Sequence, residues 1–122
     1  MKLTLDKKER LCHVRLHEER LLSSLAPQLK SELVYLNTEG YRNIILDLSE
    51  VQFIDSSGLS ALLVGNRLCK ESSGTFVLTG LNTQISKLIK ISQLEPILNI
   101  VPTVSESVDY VMMEELDRDL RG

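Results

Sequence analysis

The run from Asn43 to Lys70 constrains the fold more than any other part of the chain. It reads NIILDLSEVQFIDSSGLSALLVGNRLCK and changes pattern once along its length. Its first part, Ile44 to Leu48, is a short apolar segment with β-branched members, which is typical of a strand covered on both faces. Its last part, Gly58 to Lys70, has apolar residues at helical spacing. The sequence therefore predicts a buried strand that leads into a helix.

The tetrapeptide Asp55-Ser56-Ser57-Gly58 predicts where this helix begins. Asp and Ser are good N-cap residues, because their side-chain oxygens accept hydrogen bonds from the free N–H groups of the first helical turn. Two serine hydroxyls are therefore expected at a helix N-terminus. Capping alone accounts for both serines; the alternative is that one of them is modified there or contacted by a partner.

The predicted helix has two faces. One face is rich in small residues, which favours close packing on a sheet; its members are Gly58, Ala61, Leu62, Gly65 and Cys69. The opposite face is more apolar than a solvated helix needs; its members are Ser60, Leu63, Val64 and Arg67. This second face is either covered by neighbouring elements or available to a partner beside the serines.

The segments before the central run predict a hairpin and a helix. Lys2–Asp6 and Leu11–Leu16 alternate in polarity and are joined by four charged residues, as in two antiparallel strands. Ser23 or Ser24 can cap a helix that runs to about Leu36, with a proline in its first turn. A mixed sheet with this hairpin at one edge follows from the pattern.

The segments after the central run continue the alternation. Thr75–Thr79 and residues 97–101 predict two further strands, and a helix capped by Asn82 or Thr83 separates them. Thr103-x-x-Glu106 is a capping-box pattern that opens a final helix. The predicted order is ββαβαβαβα, an α/β single domain in which a mostly parallel mixed sheet of about five strands packs with about four helices.

The final helix is predicted to turn one apolar stripe inward, with its methionines filling gaps in the core. The members of this stripe are Val104, Val108, Val111, Met112 and Leu116. The segment 114–122 mixes charges and is expected to fray as a C-terminal tail. The domain is therefore expected to span residues 1–113.

Composition and charge exclude several classes of protein. The 122 residues suffice for one domain, and a net charge of −3 without a basic cluster argues against nucleic-acid binding. No apolar run approaches the roughly 20 residues of a membrane span, and Met1-Lys2 leads straight into a strand-like segment instead of a signal-peptide core. We therefore expect a cytoplasmic protein with no membrane contact.

Cysteine and histidine usage predicts neither a disulfide nor a metal site. Cys12 and Cys69 lie far apart in the sequence and are expected to be buried thiols, since disulfides are rare in cytosolic proteins. His13 and His17 lie four residues apart, which along a strand separates them by about 13 Å, so they cannot share an ion. No cofactor is expected either.

The central run resembles the signature of the STAS family. The resemblance rests on Ile45-Leu46-Asp47-Leu48, Val51, Phe53-Ile54 and the pentapeptide Asp55 to Leu59, and it extends over the chain up to about Val111. In particular, the chain resembles the stand-alone bacterial members, the anti-sigma-factor antagonists. It departs from the family at Leu22, where other members often carry an acidic residue near the start of the first helix.

The resemblance implies a regulatory protein that acts as the substrate of an enzyme and is not an enzyme itself. Unphosphorylated members bind an anti-sigma factor that is also a serine protein kinase, phosphorylation releases them, and a serine phosphatase resets the cycle. On this resemblance Ser57 is the phosphorylated residue. The partner-binding residues are expected to be those of the helix start and its outer face: Asp55, Ser56, Ser57, Gly58, Leu59 and Leu63.

Three other interpretations compete with this one. A receiver domain would use Asp47 as phosphoryl acceptor, but it would need an acidic pair after the first strand and a lysine at the end of the last strand, and the sequence has neither. A serine enzyme would need a base beside Ser56, Ser57 or Ser60, and no G-x-S-x-G motif is present. A STAS module that binds its partner constitutively, without phosphorylation, fits the sequence as well.

Overall fold

The computed structural model describes residues 1–122, and its elements confirm the predicted α/β alternation. The strands are β1 Leu3–Lys8, β2 Leu11–Leu16, β3 Arg20–Leu21, β4 Asn43–Asp47, β5 Phe53–Ile54, β6 Phe76–Thr79 and β7 Asn99–Ile100. The helices are α1 Ala26–Thr38, α2 Ser56–Glu71, α3 Thr83–Ile91 and α4 Val104–Arg121. All four predicted helices and all five predicted strands are present, and two short strands are additional.

Five of the strands form one mixed sheet in the order β1-β2-β4-β6-β7. β1 and β2 pair antiparallel as the predicted hairpin, while β2, β4, β6 and β7 run parallel. β1 continues through Lys8, so only Glu9 and Arg10 form the turn, and Arg10 takes a positive φ of 64°. β4 lies at the centre, and all five of its residues are buried, as its apolar pattern predicts.

The two faces of this sheet are covered unequally. The larger core lies on the face of α1, α2 and α3, where Leu29, Leu62 and Ile85 belong to one cluster with buried side chains of β4 and β6. A smaller cluster on the other face joins Leu11, Ile45, Val77 and Val111 beneath α4. Cys12 and Cys69 are buried and free, and burial raises the pKa of their thiols to about 11 and about 12. These cysteines are core residues.

A second sheet of only two strands was not predicted. β3 and β5 pair in parallel, with Arg20 opposite Phe53 and Leu21 opposite Ile54. Two residues are too few for an alternating pattern to be recognised in a sequence. This β3–β5 ribbon ties the segment before α1 to the segment before α2, and so it helps to position the start of α2.

Two predicted boundaries need correction. α1 begins at Ala26 with Leu25 as N-cap and no side-chain cap, because the carbonyl of Leu22 accepts hydrogen bonds from the N–H groups of Leu25 and Ala26. Ser23 and Ser24 therefore lie in the turn before the helix and do not cap it. The last strand is shorter than predicted and covers only Asn99–Ile100.

α4 differs most from expectation. It begins after Thr103, whose hydroxyl accepts from the Glu106 N–H as the capping box predicts, and it continues to Arg121. The expected fraying of residues 114–122 stays a prediction. Its buried residues are Ser107 and Val111, whereas Met112 and Leu116 are exposed. The predicted stripe is confirmed for Val111, with Val104 and Val108 half-buried, and is wrong for Met112 and Leu116. Ion pairs of Glu115, described below, hold the polar side of this part of the helix against the body of the protein.

Candidate functional site: the N-terminus of helix α2

Asp55 is the N-cap of α2. Its Oδ1 accepts from the Gly58 N–H at 2.9 Å, and its main-chain oxygen accepts from the Leu59 N–H at 2.9 Å. Its Oδ2 accepts at 3.3 Å from the N–H of Ser23, a residue in the turn before α1. The predicted helix start is confirmed, and one carboxylate joins it to the neighbouring turn.

Gly58 allows the β3–β5 ribbon to lie against the first turn of α2. A Cβ atom at this position would lie 2.4 Å from the main-chain oxygen of Leu21 and 3.1 Å from Cβ of Ile54. Any larger residue would force backbone atoms apart, because the nearest neighbour is a main-chain oxygen. Close packing therefore requires glycine here. The small residues on this face of the helix predicted close packing, although on a larger sheet.

The predicted partner-binding residues divide into exposed and buried ones. Ser56 is exposed, and Asp55 and Ser57 are half-exposed, so these three offer side chains to the surface. Gly58 is buried, Leu59 is only 6% exposed and belongs to the larger core, and Leu63 is half-buried against that core. Gly58 and Leu59 therefore support the site from beneath, and the part predicted for them in partner binding stays a prediction.

The first turn of α2 carries free main-chain N–H groups at Ser56 and Ser57. The N–H groups of Gly58 and Leu59 are bonded to Asp55, while those of the two serines precede the first intrahelical bond. The helix is 16 residues long, and its first turn contains no acidic residue after the N-cap. Such a helix start presents partial positive charge and favours an anionic group.

Two side chains at the start of α3 hold the segment that leads into the site. Nδ2 of Asn82 donates to the main-chain oxygen of Gln52 at 2.8 Å. The Gln84 side-chain amide accepts from the Ile54 N–H at 3.3 Å and donates to the Ile54 oxygen at 3.4 Å. Asn82 was predicted only as a helix cap, and it fills that role as well. No sequence signal connects Asn82 or Gln84 with β5.

An exposed aromatic side chain precedes the two serines by a few residues. Phe53 is 44% exposed, and the guanidinium of Arg20 lies 5.6 Å from its ring centroid across the β3–β5 ribbon. Aromatic and arginine side chains are enriched where proteins bind one another. Phe53 was placed in the STAS signature from the sequence, but the exposure of its ring was not predicted. The exposure depends on the pairing of β3 with β5, which was not predicted.

Leu22 takes the place of the family's frequent acidic residue and lies next to the site. It is half-buried, and the following residue, Ser23, donates its N–H to Asp55. An apolar side chain at this position adds no negative charge beside the helix start. The negative charge at the helix start therefore comes from Asp55 and from any group that Ser56 or Ser57 carries.

Asp47 is held inside the protein and does not offer its carboxylate to the surface. It is 2% exposed, its Oδ2 accepts from Nε of Arg15 at 2.9 Å, and its Oδ1 accepts from the Ser49 N–H at 2.9 Å. Burial alone would raise the pKa of Asp47, but hydrogen bonds from Ser49 and Arg15 outweigh burial and lower it. Asp47 thus orients the loop after β4, which disfavours the receiver interpretation.

Neither histidine is bonded to a serine of α2. Nδ1 of His17 lies 2.7 Å from Oε2 of Glu50, and its Nε2 lies 2.6 Å from the hydroxyl of Thr4. Nε2 of His13 lies 3.7 Å from Oδ2 of Asp47. The serines therefore have no histidine base, and the serine-enzyme interpretation has no support here. Separately, none of the four helices combines the length and the apolar character that crossing a membrane requires.

Comparison with known proteins identifies the fold and the family. The sequence model of the STAS domain family matches residues 2–107 of this chain. BtrV of Bordetella bronchiseptica, a candidate anti-sigma factor antagonist, is 32% identical over 92 residues, which are 75% of this chain and 78% of BtrV.

Solved structures give the same result. A crystal structure of a candidate anti-sigma factor antagonist from Thermotoga maritima has a TM-score of 0.80 and 25% identity, and the match covers 90% of this chain and 94% of that one. The anti-sigma factor antagonist SpoIIAA in its unphosphorylated form has a TM-score of 0.68 and 20% identity over 99% of both chains. The phosphorylated form of SpoIIAA from Bacillus has a TM-score of 0.70 and 21% identity, over 90% of this chain and 99% of that one.

The identities to SpoIIAA are too low to show more than a shared fold. The family match is stronger, because it spans most of the chain and includes the strand, the capping tetrapeptide and the helix that build the site. The chain therefore belongs to the STAS domain family, among relatives that are named as anti-sigma factor antagonists.

Proposed function

We propose that this chain is an anti-sigma factor antagonist whose binding is switched at Ser57. In its unmodified form it binds an anti-sigma factor that is also a serine kinase, through the surface around the start of α2. Phosphorylation of Ser57 by that kinase then releases it. The observation that carries the proposal is the half-exposed Ser57 on the first turn of a helix whose N-cap is fixed by Asp55.

The helix start can accommodate a phosphate without a change of fold. A phosphoserine carries roughly −1.5 to −2 charges, and these would lie beside the free N–H groups of Ser56 and Ser57. The helix dipole favours negative charge at this end. The fact that SpoIIAA, with a similar fold, has been solved in both forms supports this step.

A partner packed on the same surface would not accommodate the phosphate. Ser56, which precedes Ser57, is exposed, as is Phe53 four residues before it, and the Asp55 carboxylate caps the same helix start. A bound partner would have to remove water from a doubly charged group, which is costly unless a counter-charge is provided. Phosphorylation would therefore weaken the complex strongly while leaving the free domain intact.

Ser57 and Ser56 are both accessible, so geometry alone does not choose between them. Ser56 is the first residue of α2 and is exposed, and Ser57 is the second and is half-exposed. The resemblance of the Asp55 to Leu59 pentapeptide to the family signature assigns the modification to Ser57. In this scheme ATP and Mg²⁺ belong to the kinase, a separate serine phosphatase removes the phosphate, and the chain itself performs no chemistry.

The test is to capture the partner and label the chain with it. The unmodified protein is used to pull down the kinase from the source cell, and the purified kinase is then incubated with γ-labelled ATP and variants of the chain. We expect wild type and Ser56→Ala to be labelled and Ser57→Ala to remain unlabelled but bound.

Ser105→Ala is the matched control. Ser105 is exposed and is the second residue of α4, so it occupies the same position relative to a helix start as Ser57. Labelling that survives Ser57→Ala but is lost in Ser56→Ala or Ser105→Ala would contradict the assignment. Stable binding without any labelling would instead identify a STAS module that binds its partner constitutively.

A further inference from the structure

The C-terminal half of α4 carries an apolar stripe that no other part of the chain covers. Met112, Leu116 and Leu120 repeat every four residues and are 61%, 53% and 78% exposed. Met113 lies beside them and is 67% exposed. Single exposed apolar residues are ordinary on protein surfaces, but a contiguous set over two helical turns marks an interaction surface. We call these four residues the α4 stripe.

A groove lies next to the α4 stripe, between the helix and the turn of the β1–β2 hairpin. Its volume is about 370 Å³, and it is apolar at its base, which is formed by Leu11, Val108, Val111 and Met112. Its rim is formed by the hairpin turn, with Lys8, Glu9 and Arg10. We call it the hairpin groove.

The stripe and the groove carry opposite charges at their edges. Lys8, Glu9 and Arg10 are all exposed and take part in no ion pair, so two positive charges and one negative charge leave the hairpin turn with a net positive charge. Glu115 also lines the groove, but Arg42 and Arg118 pair with it. The stripe lies between Asp117 and Asp119, which are both exposed, and Asp117 pairs only with Arg121 on the same helix. An apolar ridge with acidic edges and an apolar groove with a net positive rim are thus present on one molecule.

We propose that a second copy of this chain covers the α4 stripe. In a symmetric dimer the same surface is used by both molecules, so the stripe of each copy can enter the hairpin groove of the other. The aspartates of one copy then meet Lys8 and Arg10 of its partner, and both apolar surfaces leave water. Self-complementary charge is what a two-fold interface requires, and this face provides it.

The charge of α4 argues against a membrane as the occupant. Six carboxylate residues and only two arginines lie on this helix: Glu106, Asp109, Glu114, Glu115, Asp117 and Asp119 against Arg118 and Arg121. Helices that lie on anionic membranes carry Lys and Arg on their polar face instead. An acidic helix of this kind would be repelled by such a surface.

The proposed dimer leaves the α2 site free. Glu115 and Arg118 of α4 contact Arg42 and Thr75, which precede β4 and β6 and so lie at the amino end of these parallel strands. The start of α2 follows the carboxyl end of β4 through β5, and Asn82, which follows the carboxyl end of β6, bonds to Gln52 in the same segment. The dimer therefore does not depend on the proposed switch at Ser57, and its test needs no anti-sigma factor.

Sedimentation velocity of the whole chain, from about 1 μM to about 1 mM, tests the proposal over the range of weak to moderate dissociation constants. We expect wild type to shift from the mass of one chain to that of two. Leu116→Glu should raise the dimer dissociation constant at least about tenfold, because it places a charge in the desolvated contact. Ile91→Glu is the matched control, since Ile91 is 77% exposed on α3, and it should associate as wild type does.

Charge reversal separates this dimer from any other mode of association. Association should be weakened by Lys8→Glu alone. It should also be weakened by the double variant Asp117→Lys with Asp119→Lys, and the variant that combines all three substitutions should restore it. Circular dichroism establishes that every variant is folded. Any of three results would overturn the proposal. The wild type could remain monomeric at every concentration, Leu116→Glu could leave association unchanged, or the triple variant could fail to recover association. Binding of monomeric chain to anionic vesicles would also overturn it in favour of a membrane.

Discussion

The side-chain amide of Asn82 joins helix α3 to Gln52. Its Nδ2 donates to the main-chain oxygen of Gln52 at 2.8 Å, while its Oδ1 accepts from the Ile85 N–H at 2.9 Å. One residue thus caps α3 and also restrains the loop that leads through β5 to Asp55. The two roles use different atoms of the same amide, so they can be separated by substitution.

Asn82→Asp should loosen the α2 site without unfolding α3. Aspartate is as good an N-cap as asparagine, but it has no N–H to donate and places a carboxylate against the Gln52 oxygen. Losing this bond should cost about 1 kcal/mol or somewhat more. Hydrogen exchange should become faster at residues 52–58 while α3 keeps its protection.

Asn82→Ser is the control for this prediction. Serine keeps a capping oxygen but is too short to reach Gln52, so it should loosen residues 52–58 without introducing a charge. The double role is wrong if exchange in either variant increases throughout α3 and not in the segment before α2.

Gly58→Ala should destabilise the domain by about 1 to 3 kcal/mol, as overpacking does. Alanine has the higher helix propensity, by about 1 kcal/mol, so propensity alone predicts the opposite sign. The added Cβ would lie 2.4 Å from the Leu21 oxygen, and backbone atoms cannot move away as a flexible side chain can.

Urea unfolding of Gly58→Ala and of Ser60→Ala decides between overpacking and helix propensity. Ser60 lies in the same helix and is half-exposed, so its substitution tests propensity without the close contact. Equal or increased stability of Gly58→Ala would show that the β3–β5 ribbon can yield at this point.

Glu115 should contribute stability that disappears in acid. It accepts from Nη2 of Arg42 at 2.7 Å and from Nη1 of Arg118 at 2.6 Å. Burial alone would raise the pKa of Glu115, but the bonds from Arg42 and Arg118 outweigh burial and lower it. Because the folded pKa is the lower one, this contribution is complete above the unfolded value of about 4.3 and is lost as pH falls through the folded pKa.

Glu115→Gln tests this pH dependence. At pH 7 the variant should lose about 1.5 to 3 kcal/mol of unfolding free energy, as removal of charged hydrogen bonds does. Wild type and variant should converge as the pH is lowered below about 4. A difference that stays constant down to pH 2 would mean that the Glu115 charge does not contribute.

Local pattern was sufficient to predict the central part of the fold. The apolar run of β4, the capping carboxylate of Asp55 and the small residues of α2 all lie within one continuous segment, so short-range rules apply to them. Leu62 is fully buried, as its place on the small-residue face predicts. For the same reason the helix N-terminus at Ser56 and Ser57 could be placed from the sequence alone.

Contacts between distant residues decide the features that the sequence did not predict. The rotation of α4 depends on Glu115 meeting Arg42, 73 residues away, so an apolar periodicity that pointed Met112 and Leu116 inward was misleading. The bond from Asn82 to Gln52 spans 30 residues. Helical periodicity describes which residues share a face, but it does not tell which face meets the core when polar partners compete for it.

Ser57→Asp should separate stability from binding at the proposed switch. A carboxylate on the first turn of a helix typically adds about 0.3 to 1 kcal/mol of stability, but Asp55 lies two residues away and opposes it, so the net change at Ser57 should be small. Ser105→Asp is the matched control, because Ser105 occupies the same place in α4 after the uncharged cap Thr103. Thermal melts should therefore be nearly unchanged for Ser57→Asp and unchanged or slightly higher for Ser105→Asp. Calorimetric titration with the captured kinase should show affinity reduced at least about tenfold for Ser57→Asp alone, since only there does the charge enter the contact. Equal affinity of the two variants would place the partner elsewhere on the molecule and would leave Ser57 without a switching role.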